Sequence, residues 1–103
     1  MSAKWFPAAE KDINRIYEYY ATKSQRAATD LYNSILDDVD RLENNPYIAA
    51  IEPLLDGNPK SYRSLVTGKR KMKIVYYVEN EIVCISRIWD CRQNPKKLGI
   101  SLK

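Results

Sequence analysis

Ile13, Ile16, Tyr17 and Tyr20 fall at i, i+3, i+4 and i+7, one face of a helix, with Glu10, Lys11, Asp12 and Arg15 on the opposite side. The pattern predicts a helix from Ala8 to Thr22 or Lys23. Pro7, which has no N–H to leave unpaired, suits its first turn. Lys4-Trp5-Phe6 reads as a short edge strand that Pro7 ends. Ser24 is placed to cap a second helix, whose apolar positions Ala28, Leu31, Tyr32, Ile35, Val39 and Leu42 repeat by threes and fours. Asn44-Asn45-Pro46 stops it. So short a link between two amphipathic helices predicts an antiparallel hairpin, whose apolar stripe something must cover.

From Tyr47 to Lys60 no period is visible, and Pro53, Gly57 and Pro59 mark a connecting loop. Its apolar residues Ile48, Ile51, Leu54 and Leu55 are expected to tuck against the hairpin. The period then changes to two, which predicts strands over Ser61–Val66, Lys71–Val78 and Glu81–Trp89. Thr67-Gly68-Lys69 and Glu79-Asn80 are the expected turns. In the last strand Ile82, Cys84, Ser86 and Ile88 alternate with Val83, Ile85, Arg87 and Trp89. The order is β-α-α-β-β-β, an α+β fold in which an antiparallel sheet buries one face on the helix pair and leaves the other open. One domain is expected over residues 1–95, with residues 96–103 a basic, flexible tail.

The chain is 103 residues long, enough for one domain with one modest core. Histidine is absent, which removes Ser-His-Asp and Cys-His relays and every His-ligated metal. Neither a metal nor a cofactor is implied. Cys84 and Cys91 lie on the order of 20 Å apart if extended, too far for a disulfide. Two unpaired thiols, a charged amino terminus and no long apolar run fit a cytoplasmic protein with no membrane segment.

The net charge of +4 is unevenly spread. Residues 1–59 carry six Lys/Arg against ten Asp/Glu, and residues 60–103 carry eleven against three. The second half is the expected contact surface for an anionic partner, through Lys69, Arg70, Lys71, Arg87, Lys96 and Lys97. The bland alternative is a basic face that only maintains solubility. Arg63, Lys73, Arg87 and Arg92 come from neighbouring strands and are expected to converge on the open face.

Tyr62-Arg63-Ser64-Leu65, Lys73-Ile74-Val75-Tyr76-Tyr77-Val78 and Ile88-Trp89-Asp90-Cys91-Arg92-Gln93-Asn94-Pro95, behind a two-helix start, resemble toxins of the RelE/ParE superfamily. The resemblance implies two helices packed on a small antiparallel sheet. It also implies the toxic half of a bacterial type II toxin–antitoxin module. A cognate antitoxin would be the partner, in a hetero-oligomer or beside a toxin homodimer. RelE-like members cleave mRNA on the ribosome without metal, using basic residues and a tyrosine. ParE-like members bind DNA gyrase.

Carried over by position, Arg63, Lys73 and Arg92 are the catalytic candidates if the chain is an endoribonuclease. Three departures weigh against that. Lys73 stands for an arginine and cannot give its planar, bidentate hold on phosphate. Leu65 replaces a second lysine, and Leu98 stands near where RelE-like members carry their carboxy-terminal tyrosine. The resemblance therefore leans to a ParE-like, non-enzymatic toxin; a non-toxic RNA-binding module is the remaining alternative. Competing structural roles are an Arg92–Asp90 pair at the strand exit, packing for Tyr76 and Tyr77, and solvated surface for Asp37, Asp38, Asp40 and Glu43. Asp37 and Arg41 form an expected i,i+4 pair.

Overall fold

The computed structural model describes residues 1–102. Its elements are β1 (Ser2–Trp5), α1 (Pro7–Ala21), α2 (Gln25–Asn44), a 3-10 turn (Pro53–Leu55), β2 (Arg63–Thr67), β3 (Met72–Glu79), β4 (Ile82–Asp90) and α3 (Pro95–Ser101). Pro7 opens α1 at its first position. The Ser24 side chain accepts from the Ala27 N–H at the start of α2. Ser24→Ala removes that acceptor and is expected to cost about 1 kcal/mol, read as a fall in urea midpoint with an unchanged slope.

The four strands lie in the order β1-β4-β3-β2. The β2–β3 and β3–β4 pairs are antiparallel, and β1 joins parallel to β4 with Ser2 opposite Ile82 and Trp5 opposite Ile85. The helical hairpin carries the chain from edge strand β1 across the sheet to the opposite edge, β2. Ala9, Ile13, Leu31, Ile35, Val39 and Leu42 of the hairpin meet Met72, Ile74, Tyr76, Val83, Ile85 and Ile88 of the sheet in the main core.

Three expectations are corrected here. The alternation along β4 breaks at a bulge: Val75 pairs with Arg87 but Tyr76 with Ile85, which leaves Ser86 as the extra residue. Ile88 consequently shares the helix-side face with Val83 and Ile85, and Trp89 joins Cys84 on the far face. That far face is not open. Leu55, Tyr62, Val75, Tyr77, Cys84, Trp89 and Leu98 form a second buried cluster on it. Strands apolar on both faces need cover on both, and the 53–62 segment and α3 provide it.

The carboxy-terminal stretch supplies part of that cover. Pro95–Ser101 is helical, Asn94 caps it through the Lys96 N–H, and Leu98 is fully buried. Lys103 lies outside the described residues. Desolvation in this cluster raises the pKa of the Tyr62 hydroxyl and pushes Tyr77 up to about 12, so both serve as packing groups near neutral pH.

Of the four apolar loop residues expected to tuck inward only Leu55 is buried; Ile48, Ile51 and Leu54 are exposed. Backbone pairing turns these side chains outward. Glu52 N–H donates to Tyr62 O, Ser64 N–H to Ala50 O, and the Tyr76 hydroxyl to Pro46 O at 2.8 Å. The helix ion pair also differs from expectation, joining Arg41 to Asp38 rather than Asp37.

Candidate functional site

Of the basic residues expected to converge, three are drawn into structural contacts in separate places. Arg63 pairs with Tyr76, on the helix-side face, and Lys73 stands one step out of phase beside Val75, on the far face. The Arg63 guanidinium donates to Ala49 O at 2.7 Å and lies 5.1 Å from the Tyr47 ring. It holds the loop that follows α2.

Lys73 Nζ meets Glu52 Oε1 at 2.8 Å, with the lysine side chain 17% exposed and the glutamate 3%. Glu52 also accepts from the Ser64 hydroxyl and the Leu54 N–H. Burial alone would raise the Glu52 pKa. The hydrogen bonds from Lys73 and Ser64, and then the Lys73 charge, outweigh it and hold the carboxyl below the ordinary glutamate range. An unpaired lysine on a middle strand would be costly, and Glu52 is the partner that removes the cost.

Arg87 reaches around the edge of β4 to Asp12 of α1, Nε to Oδ2 at 2.6 Å and Nη2 to Oδ1 at 2.9 Å. The Ile88 N–H donates to the same Asp12 carboxylate at 3.0 Å. β1 pairing ends at Trp5, so the β1-side edge of β4 has no strand partner beyond Ile85, and Asp12 takes the Ile88 donor there. Asp12 therefore belongs inside, not on the outer face that its helical position suggests.

Arg92 differs from these three. It forms a two-point pair with Asp90, Nη2 to Oδ2 at 2.8 Å, yet its side chain is 61% exposed. Asp90 opposes Met72, four residues along β3 from Tyr76, so Arg92 and Arg63 are separated by about 13 Å of strand. The Cys91 N–H donates to Lys71 O, which brings the β4 exit beside the β2–β3 hairpin tip. At that tip Gly68, Lys69 and Arg70 all have positive φ, 57°, 56° and 69°. A side chain on Gly68 would come within 3.0 Å of Leu31. Lys69 and Arg70 are exposed in a left-handed conformation that costs non-glycine residues on the order of 1 kcal/mol each. Lys96 and Lys97 lie on α3, which covers the far face.

Arg92 lines a cleft of about 310 Å³ between α1 and the β4 exit. Ile16, Met72 and Ile88 line it together with Arg15, Tyr19 and Tyr20. Lys71 stands 5.4 Å from the Tyr20 ring, and Lys23 donates to the Tyr19 hydroxyl at 3.0 Å. That hydrogen bond, with the lysine charge, lowers the Tyr19 pKa below the ordinary tyrosine range. By helical spacing Arg15 belongs only to the polar face of α1 and Tyr20 to its apolar face, and Tyr19 stands out in neither. The available signal was Arg15, Tyr19 and Lys23 at i, i+4 and i+8, a basic and aromatic stripe on one helix face.

The chain matches the family model described as ParE toxin of type II toxin-antitoxin system, parDE, over residues 3–95. Its fold is similar to a solved structure described as the chromosomal ParDE TA system from P. aeruginosa, with a TM-score of 0.73 at 24% identity. That alignment covers 87% of this chain and 95% of the other. No curated protein sequence matches the chain.

Proposed function

The chain belongs to the ParE toxin family of type II toxin–antitoxin systems, and on that premise we propose that it arrests growth by binding a protein target, DNA gyrase being the candidate, until an antitoxin neutralises it. The observation that carries this reading is the separation of the basic residues. Metal-free phosphodiester cleavage needs cations aimed together at one developing charge. Here Lys73 is bound to buried Glu52, Arg63 to the Ala49 carbonyl on the opposite sheet face, and Arg92 to Asp90. Protein binding asks only for a shaped, charged surface, and the exposed hairpin tip with the Arg92 cleft offers one. No described helix is long and apolar enough to cross a membrane, and we infer a cytoplasmic site of action.

The test is induced expression without antitoxin, with DNA and protein synthesis followed by pulse-labelling. DNA synthesis is expected to fall first, with purified protein inhibiting gyrase supercoiling. Immediate collapse of protein synthesis, with ribosomal mRNA cuts lost in Arg92→Ala, would overturn the reading in favour of an endoribonuclease.

A further inference from the structure

The turn between β2 and β3 is made of residues that such a turn does not favour. The Lys71 N–H donates to Gly68 O, and the two residues between them, Lys69 and Arg70, both have positive φ. Asn-Gly is the low-cost choice for a two-residue turn with both central positions left-handed. Two long cations stand there instead, with a third, Lys71, directly behind them. Strained backbone of this kind clusters at sites that clamp a ligand. More cations stand beside the tip. Lys71 lies 5.4 Å from the Tyr20 ring, Tyr20 lies 5.1 Å from Tyr19, and Lys23 lies 4.8 Å from Tyr19. Those contacts keep the Lys71 and Lys23 ammonium groups within about 15 Å of one another. Arg15 is on the wall of the adjoining cleft.

Arg15, Lys23, Lys69, Arg70 and Lys71 are all exposed, and none has a carboxylate partner among the described residues. The carboxylates that line the cleft are already matched, Asp12 by Arg87 and Asp90 by Arg92. Asp38, at the foot of the hairpin, is held by Arg41 and Thr67. The rim therefore carries five cations whose counter-charge must come from outside. We propose that it binds the phosphate backbone of duplex DNA, with the β2–β3 tip set at the major groove. The inference goes beyond the protein-binding reading above and stands without it, because it concerns the free chain.

Spacing and shape select this ligand among nucleic acids. Duplex DNA carries one charge per ~1.7 Å of axis, so the Lys23–Lys71 span faces about nine phosphates, enough to engage every cation of the rim. The tip is two strands wide, and the major groove of B-DNA, about 12 Å across, admits a two-stranded ribbon. The major groove of duplex RNA is too narrow for side chains to enter. Single strands are held by bases stacked on open aromatic faces, and here Lys23 and Lys71 stand over Tyr19 and Tyr20.

The experiment titrates a fluorescein-labelled DNA duplex of about 20 base pairs with the full chain and follows anisotropy at several salt concentrations. Five phosphate contacts predict a slope of about −4.5 in log K against log salt, so affinity falls on the order of 500-fold between about 50 and 200 mM. Lys69→Asn with Arg70→Gly puts the favoured dipeptide into the turn, so the fold is kept while two cations are lost. Binding is expected to weaken about tenfold, with the slope reduced to about −2.7. Lys4→Gln with Lys60→Gln removes the same charge at the other end of the sheet. There Lys60 pairs with Glu79 and Lys4 stands opposite Cys84, about 23 Å along β3 from the tip. That variant should bind within about twofold of the parent, with the same slope. Equal losses in the two variants would mean attraction by net charge alone and overturn the proposal. So would tighter binding of an RNA duplex of the same length, or displacement of the DNA by polyglutamate at equal charge. DNA binding in a chain whose expression leaves growth untouched keeps the rim and sinks the toxin reading. Gyrase inhibition without DNA binding does the reverse.

Discussion

Asp12→Ala is expected to lower the unfolding free energy by about 3–5 kcal/mol, the larger part of what a domain of this size has to lose. Its side chain is only 7% exposed and that of Arg87 15%, so removing the carboxylate strands a half-buried guanidinium. The Ile88 N–H loses its acceptor in the same step. Two further variants separate these effects. Asp12→Asn keeps an oxygen for the N–H and should recover part of the loss. Asp12→Ala combined with Arg87→Met removes the stranded charge and should recover most of it, since a buried ion pair replaced whole by apolar groups is close to neutral. Urea unfolding followed by circular dichroism reads all four proteins. A loss below about 1 kcal/mol in Asp12→Ala would place the pair among surface salt bridges.

The second large effect concerns Glu52. Glu52→Ala is expected to cost about 3 kcal/mol, because Lys73, Ser64 and the Leu54 N–H all lose their acceptor on a side chain that is almost fully buried. The same carboxylate sets an acid limit. Its pKa is lowered in the fold by hydrogen bonds and the Lys73 charge that outweigh burial, so its stabilising contribution is complete above the ordinary glutamate value of about 4.3. That contribution is lost as pH falls from there through the lowered value. Stability should therefore be flat from neutral pH down to about 5 as far as this group is concerned, then fall. Glu52→Gln should start lower and show a shallower acid limb. An identical acid limb in the variant would rule out Glu52 as its source. Asp90, held low by its Arg92 hydrogen bonds, acts in the same direction in both proteins.

These two carboxylates also mark where sequence reading stops. Helix periodicity placed Asp12 among exposed charges, because a 3.6-residue pattern divides a helix into two faces and cannot register the flank that meets a strand edge. Glu52 lay in a loop with no period at all. Arg87, Lys73 and Arg63 were legible as cations on strands, but not as cations with assigned partners. Those partners lie 75, 21 and 14 residues away in sequence. The β4 bulge had a local sign only in Ser86, a small polar residue in an apolar strand.

What the sequence determined by itself is the element order from β1 to β4, the helical hairpin with its Pro7 and Ser24 starts, the three-strand meander and the family. These depend on local spacing, capping chemistry and turn residues, all of which act over a few positions. Three outcomes belong to the tertiary structure alone. One is that both sheet faces are covered, with Leu98 sealing the second. Another is that Arg63 and Lys73 are sent to opposite faces. The last is that Arg15, Tyr19, Tyr20 and Arg92 come together around one cleft. Each follows from strand register and from which element crosses which edge, and those are set by the packing of the whole core rather than by neighbours in the chain.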